Sequence, residues 1–135
     1  MTTLLRLCSA FLLLIWMACG LQAEEVIRDY HADITVLPDA TIEVTETITV
    51  NAEGNEIRRG IFRDFPLYAR DARGRRQTVD FELISVERDG QPEASRTESV
   101  TGGIRIYTGS ADVFLQPGEY TYTITYRTGR QIRYF

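Results

Sequence analysis

Residues 41–50 read TIEVTETITV. Thr41, Glu43, Thr45, Thr47 and Thr49 take the odd positions, and Ile42, Val44, Ile48 and Val50 take the even ones with Glu46 among them. Alternation of β-branched residues with period two predicts a strand with one wet face and one buried face. A glutamate in the apolar row is out of place, and a lone buried carboxylate is costly, so it calls for a cation from another strand. Residues 58–66, RRGIFRDFP, offer one. If that stretch is also extended, Arg59, Ile61, Arg63 and Phe65 share a face, and Arg63 stands between two apolar neighbours. The expectation is a Glu46–Arg63 ion pair, with Arg59 the substitute partner if a bulge at Gly60 shifts the register. The competing reading is a partly wet face on which both charges are solvated.

The rest of the chain reads as strand after strand with no convincing helix. Tyr30, Ala32, Ile34 and Val36 alternate with Asp29, His31, Asp33 and Thr35, which predicts a half-buried strand. Pro38 and Asp39 mark a turn, and NAEGNE (51–56) and DARGRR (71–76) are polar loops. Val79, Phe81 and Leu83 share one parity while Ile84 and Val86 share the other, so a β-bulge is expected near Leu83 and Ile84. Asp89 and Gly90 form a hairpin turn, and Pro117 and Gly118 suit the middle of a type II turn. Ile104 and Ile106 flank Arg105, Tyr120, Tyr122, Ile124 and Tyr126 make an aromatic stripe opposite three threonines, and residues 131–135 are a last strand. Six to eight strands at roughly ten-residue spacing predict an all-β fold, an antiparallel β-sandwich of immunoglobulin-like architecture.

The N-terminus bears on compartment. A short positive stretch with Arg6, the apolar run LCSAFLLLIWM (7–17) and a small-residue segment ending at Ala23 have the layout of a secretory signal peptide, residues 1–23. A retained anchor is the alternative, and Cys19 raises a second one, a lipid anchor, though Trp16, Met17 and Ala18 match a lipobox weakly. Cleavage after Ala23 leaves residues 24–135, enough for one domain. Both cysteines, Cys8 and Cys19, fall in the leader, so packing without disulfides must hold that domain. It carries arginine but no lysine and is mildly acidic, with both signs interspersed, which argues against a nucleic-acid surface.

Several motifs in order carry a resemblance: the leader, an acidic first strand, VTETITV (44–50), RGIFRDFP (59–66), VERDGQP (86–92) and QPGEYTYTITYRTGRQIRYF (116–135). Together they resemble the N-terminal domain of the domain-of-unknown-function family 2207, predicted bacterial membrane proteins. The resemblance covers residues 24–135 and implies an extracytoplasmic β-sandwich, followed in family members by transmembrane helices and a cytoplasmic tail often rich in glycine. It implies no enzymatic activity. The family pattern continues into an acidic and aromatic stretch where this sequence ends at Phe135, so the sandwich is expected to be C-terminally incomplete.

Candidate chemical sites are few. Asp29, His31 and Asp33 share a strand face and could offer ligands to a divalent metal, but His31 is the only histidine, nothing nearby completes a site, and a solvated face explains them better. Ser85, Ser95, Ser99 and Ser110 lack a nucleophile-elbow context, and no phosphate loop is present. No catalytic, cofactor or metal site is therefore expected. Tyr120, Tyr122, Tyr126 and Tyr134 could stack on a glycan or line the inner face of the last hairpin. Arg73, Arg75 and Arg76, within residues 70–76, could meet anionic lipid or form a solvated hairpin tip. Two functions stay open: a non-catalytic extracytoplasmic domain that docks a protein partner or its own membrane segment, and a secreted or lipid-anchored glycan-binding module.

Overall fold

The computed structural model describes residues 24–71 and 73–129; the leader with Cys19, and the strand expected at 131–135 with Tyr134, lie outside the described residues. Among the described residues ten strands follow one another: β1 (Val26–Val36), β2 (Ile42–Ala52), β3 (Phe62–Pro66), β4 (Tyr68–Arg70), β5 (Arg76–Thr78), β6 (Phe81–Arg88), β7 (Gln91–Pro92), β8 (Ser95–Val100), β9 (Gly103–Thr108) and β10 (Gly118–Thr128). The count exceeds the six to eight expected because β4, β5 and β7 are only two or three residues long. All pairings are antiparallel: a large sheet in the order β1-β2-β10-β6-β7, a small sheet in the order β3-β9-β8, and a separate β4-β5 ribbon. The two larger sheets pack face to face, as an antiparallel sandwich.

Alternation explains the layering. Along β2, Val44, Glu46, Ile48 and Val50 point inward, and along β10 Tyr122, Ile124 and Tyr126 do the same. Their outward neighbours are threonines, and two pairs meet across strands, Thr45 with Thr125 at 3.3 Å and Thr49 with Thr121 at 3.1 Å. Phe65 of the small sheet closes on Tyr126 (ring centroids 5.2 Å apart) and on Phe81 (4.7 Å), so one aromatic cluster joins the layers at that end.

Local irregularities sit where the sequence breaks its own pattern. Thr125 pairs with Ser85 but Tyr126 pairs with Leu83, leaving Ile84 as the extra residue of a bulge, its side chain turned out to 44% exposure. Asp89 (φ 51°) and Gly90 (φ 76°) form the turn between β6 and β7, with the two positive φ values of a type I′ hairpin. Gly118 departs from the type II expectation. Its φ of 152° is far from the value near +80° that such a turn requires, because the chain enters β10 there and pairs with Ala52 rather than reversing.

The expectation of a half-buried first strand needs correction. The inward row of β1 is the apolar one, since Ala32 pairs with Glu46 and Ile34 with Val44. Yet Tyr30, Ile34 and Val36 are 49, 62 and 61% exposed. Among the described residues the small sheet has three strands against five, and its cover stops short of this edge.

The loop after β2 is organised by Glu25. Its Oε1 accepts the backbone N–H of Glu53, Asn55 and Ile57 at 2.9, 3.0 and 3.2 Å, and its Oε2 that of Glu56. Desolvation works against the charged form, but these four donors together outweigh it and hold the carboxyl below its usual range. The expected loop NAEGNE (51–56) is shorter than its sequence suggests, since Asn51 and Ala52 pair with Glu119 and Gly118 as the end of β2, and the remainder winds around this carboxylate.

Candidate functional site

Glu46 lies at the centre of the inner face, 2% exposed. Arg63, on the facing sheet, donates to it through two nitrogens, Nε to Oε2 at 2.8 Å and Nη2 to Oε1 at 2.9 Å. This fork geometry is the strongest arrangement a carboxylate and guanidinium adopt. The Tyr126 hydroxyl donates to Oε1 at 2.9 Å, so both carboxylate oxygens are engaged. Burial pushes the Glu46 carboxyl up, but Arg63, Tyr126 and the nearby Tyr30 hold it below the ordinary range. Burial and the adjoining carboxylate push the Tyr126 phenol up.

Tyr122 is the contrast within the same stripe. It is fully buried, its hydroxyl has no hydrogen-bond partner among the described residues, and burial pushes the phenol up to about 12. The hydroxyl of Thr108, which neighbours it, both accepts from and donates to Ile61. Tyr122→Phe is expected to leave unfolding stability within about 0.5 kcal/mol of the parent or to raise it, whereas Tyr126→Phe should cost about 2 kcal/mol, because its bond is to a charged acceptor. Urea midpoints for the two variants test the contrast, and equal losses would contradict it.

Beside the ion pair the sandwich is open. Tyr30, Ala32, Ile34, Phe65, Pro66 and Tyr126 are among the residues lining a groove of about 320 Å³, with Glu46 at its floor. One wall is the uncovered row of β1. The other is β3, which pairs only with β9 among the described strands; on its outer edge the Asp64 carbonyl already accepts from Arg63 Nη1 at 2.5 Å and Pro66 has no N–H, so that edge is unpaired by a strand but only partly open.

The remaining candidates are dispersed. Arg59 does not reach Glu46; its guanidinium lies over the Phe114 ring, 4.3 Å from the centroid. Tyr122 and Tyr126 are core residues, 0 and 5% exposed, so these two are not available for the glycan stacking expected of the stripe. Tyr120 is half-buried and its hydroxyl donates to the Gln116 carbonyl at 2.8 Å. In the β4-β5 hairpin, Arg75 binds Asp71 at 2.8 Å, Arg76 stacks 3.5 Å above Tyr68, and Arg73 gives its backbone N–H to Asp71. Two of those three guanidiniums are thus held within the hairpin itself. His31 and Asp33 stand 3.3 Å apart on the exposed outer face, and among the described residues no group of three His, Cys, Asp or Glu side chains is gathered for a metal.

The model of the predicted membrane protein (DUF2207) N-terminal domain matches residues 26–135. The chain belongs to the DUF2207 family. Among curated proteins, Uncharacterized protein YciQ of Escherichia coli K12 is 30% identical over 104 residues, which is 77% of this chain and 16% of that protein. The chain therefore spans about one sixth of this DUF2207 relative's length. No solved structure matches it. Among the described residues of this DUF2207 domain no helix is long and apolar enough to cross a membrane.

Two features of the DUF2207 domain escape the sequence reading. The exposure of the β1 row depends on how many strands the opposite sheet has, which alternation does not encode. The meeting of Arg58 and Arg59 with Phe114 joins segments more than fifty residues apart, and no local pattern marks it.

Proposed function

We propose that this chain is the extracytoplasmic, non-catalytic docking domain of a membrane protein, delivered by its N-terminal signal, and that its groove receives an extended segment of a partner protein. The carrying observation is the coincidence of an uncovered apolar row on β1 with an edge of β3 that no described strand pairs and that keeps the backbone groups of Phe62 and the Asp64 N–H for a partner. Such a site is suited to strand addition: main-chain bonds to the edge supply affinity, and alternate side chains of the incoming strand enter the groove. The lining is apolar apart from Thr128 and the Glu46 cluster, whose charges are already paired, so the occupant fits best with uncharged, mainly apolar residues at every second position. That same pairing supports a non-catalytic role, because Glu46 and Arg63 are bound to each other.

A photoreactive residue placed at Tyr30 or Ile34 of the full-length protein in cells tests this, with Thr35 on the opposite face of β1 as control. The expected result is cross-linking to another polypeptide from positions 30 and 34 but not from 35, with the captured residues falling at alternate positions of one segment. Equal capture from position 35, or capture solely of residues 130–135 of the same chain, would sink the proposal.

A further inference from the structure

A second surface lies at another part of the molecule. Arg58 and Arg59 enter the small sheet side by side, and among the described residues neither meets a carboxylate within ion-pair distance. Both guanidiniums lie by the ring of Phe114, at 5.9 and 4.3 Å from its centroid. Phe114 belongs to the loop 109–117, which a bond from the Leu115 N–H to the Arg58 carbonyl (2.9 Å) fastens to the arginine segment. On that loop Val113 and Phe114 are 52 and 54% exposed, although they are adjacent large apolar residues. Arg58, Arg59, Arg96 and Ser110 help line a cleft of about 370 Å³, in which Glu56 is the one lining carboxylate. Arg96 is partly committed, to Glu98 at 3.1 Å and to the Tyr107 ring.

We propose that this corner docks on an anionic phospholipid surface, with Arg58 and Arg59 gripping headgroup phosphates and Val113 and Phe114 entering the interface. Guanidinium is the side-chain cation best matched to phosphate, since it is planar, weakly hydrated and able to bond through two nitrogens. An exposed aromatic beside it has the amphipathic character that interfacial segments use, apolar tip inward and charge at headgroup level. A local patch is needed for such attraction because the chain as a whole is negative, with formal net charge −4. The hairpin arginines of residues 70–76 fill this role less well, since Arg75 is ion-paired with Asp71 and Arg70 donates to the Gly74 carbonyl.

The test is vesicle sedimentation of the full chain at low salt, comparing equal phosphatidylglycerol and phosphatidylcholine with phosphatidylcholine alone. The ratio of the two affinities cancels any contribution of the apolar residues 1–23 that does not depend on lipid charge. Each arginine near an anionic surface should contribute roughly fivefold, so Arg58→Gln with Arg59→Gln should lower the ratio about 25-fold. Phe114→Ser should weaken binding to the mixed vesicles, and Arg73→Gln with Arg75→Gln should leave the ratio within about twofold of the parent if the patch is local. All of these positions are exposed, and unchanged thermal unfolding of each variant separates lost docking from lost fold. A double variant at 58 and 59 that keeps the parent ratio would overturn the proposal. So would full competition by soluble glycerol phosphate, which would make the cleft a site for a free phosphate ester rather than a membrane.

Discussion

Arg63→Ala should lower the unfolding free energy by about 3 kcal/mol at pH 7.5, near the bottom of the range for breaking a buried pair. The lower figure applies because the Arg63 side chain is 36% exposed while that of Glu46 is 2%, so solvent screens part of the interaction. For a domain of this size the loss corresponds to a fall in midpoint of roughly 10–20 °C. The pH dependence identifies its origin. In the parent the Glu46 carboxyl is held below its unfolded value, so its contribution is present above about pH 4.3 and is lost as pH falls through the folded value. Without Arg63, burial dominates and the carboxyl rises above the unfolded value, so the variant loses stability as pH climbs past about 4.3. The gap between parent and variant should therefore narrow near pH 4 and widen toward neutrality. Urea denaturation at pH 4.0 and 7.5 measures both arms, and a gap that stays constant would mean that the loss is one of packing rather than charge.

Gly60→Ala should be comparably damaging, at about 4 kcal/mol. The Gly60 backbone has φ 151°, and a Cβ there would stand 2.0 Å from the Thr108 carbonyl oxygen. The opposite glycine has the same problem in reverse, since a Cβ on Gly109 would stand 1.9 Å from the Arg59 carbonyl oxygen. Two main chains are pressed together here with no side chain between them. Strain at such a φ and overpacking of this kind each cost about 1–3 kcal/mol. Gly54 is the control, because it also has positive φ (79°) but nothing within 4 Å of an added Cβ, so Gly54→Ala should cost only about 1 kcal/mol. Equal melting of the two variants would show that the chains at Gly60 are free to separate.

What the sequence reveals depends on whether the physics is local. Alternation along residues 41–50 is set by the pleat itself, so it marks both the strand and the one residue, Glu46, that violates the apolar row. Arg63 violates its own row in the same way, and the two conflicts vanish together when their faces meet. The bulge at Ile84 is legible because the parity of apolar residues flips there. Tyr120, Tyr122 and Tyr126 show where alternation alone is insufficient. The spacing is equally consistent with an exposed or a buried stripe, and the decision comes from the small sheet that covers Tyr122 and Tyr126. For β1 the outcome is the opposite: an apolar row as clear as any in the chain stays wet where the three described strands of the facing sheet do not reach it. Glu25 and the Arg58–Phe114 corner are assembled by the path of the backbone, so no neighbouring residue announces them.

The position of β10 governs when the domain can form at all. It is the last described strand made and the middle one of the large sheet, pairing with β2 on one side and β6 on the other. While the polypeptide is being synthesised, β2 and β6 have no mutual partner, and both offer bare edges until residue 128 has appeared. Pairs such as Thr45 with Thr125 close loops of 80 residues, and such distant closures make folding slow and leave the unfinished chain prone to association. A ribosome that stopped before Tyr126 would release a β1-β2 hairpin carrying an inward carboxylate without its tyrosine donor. The large sheet can thus close only once β10 has been made.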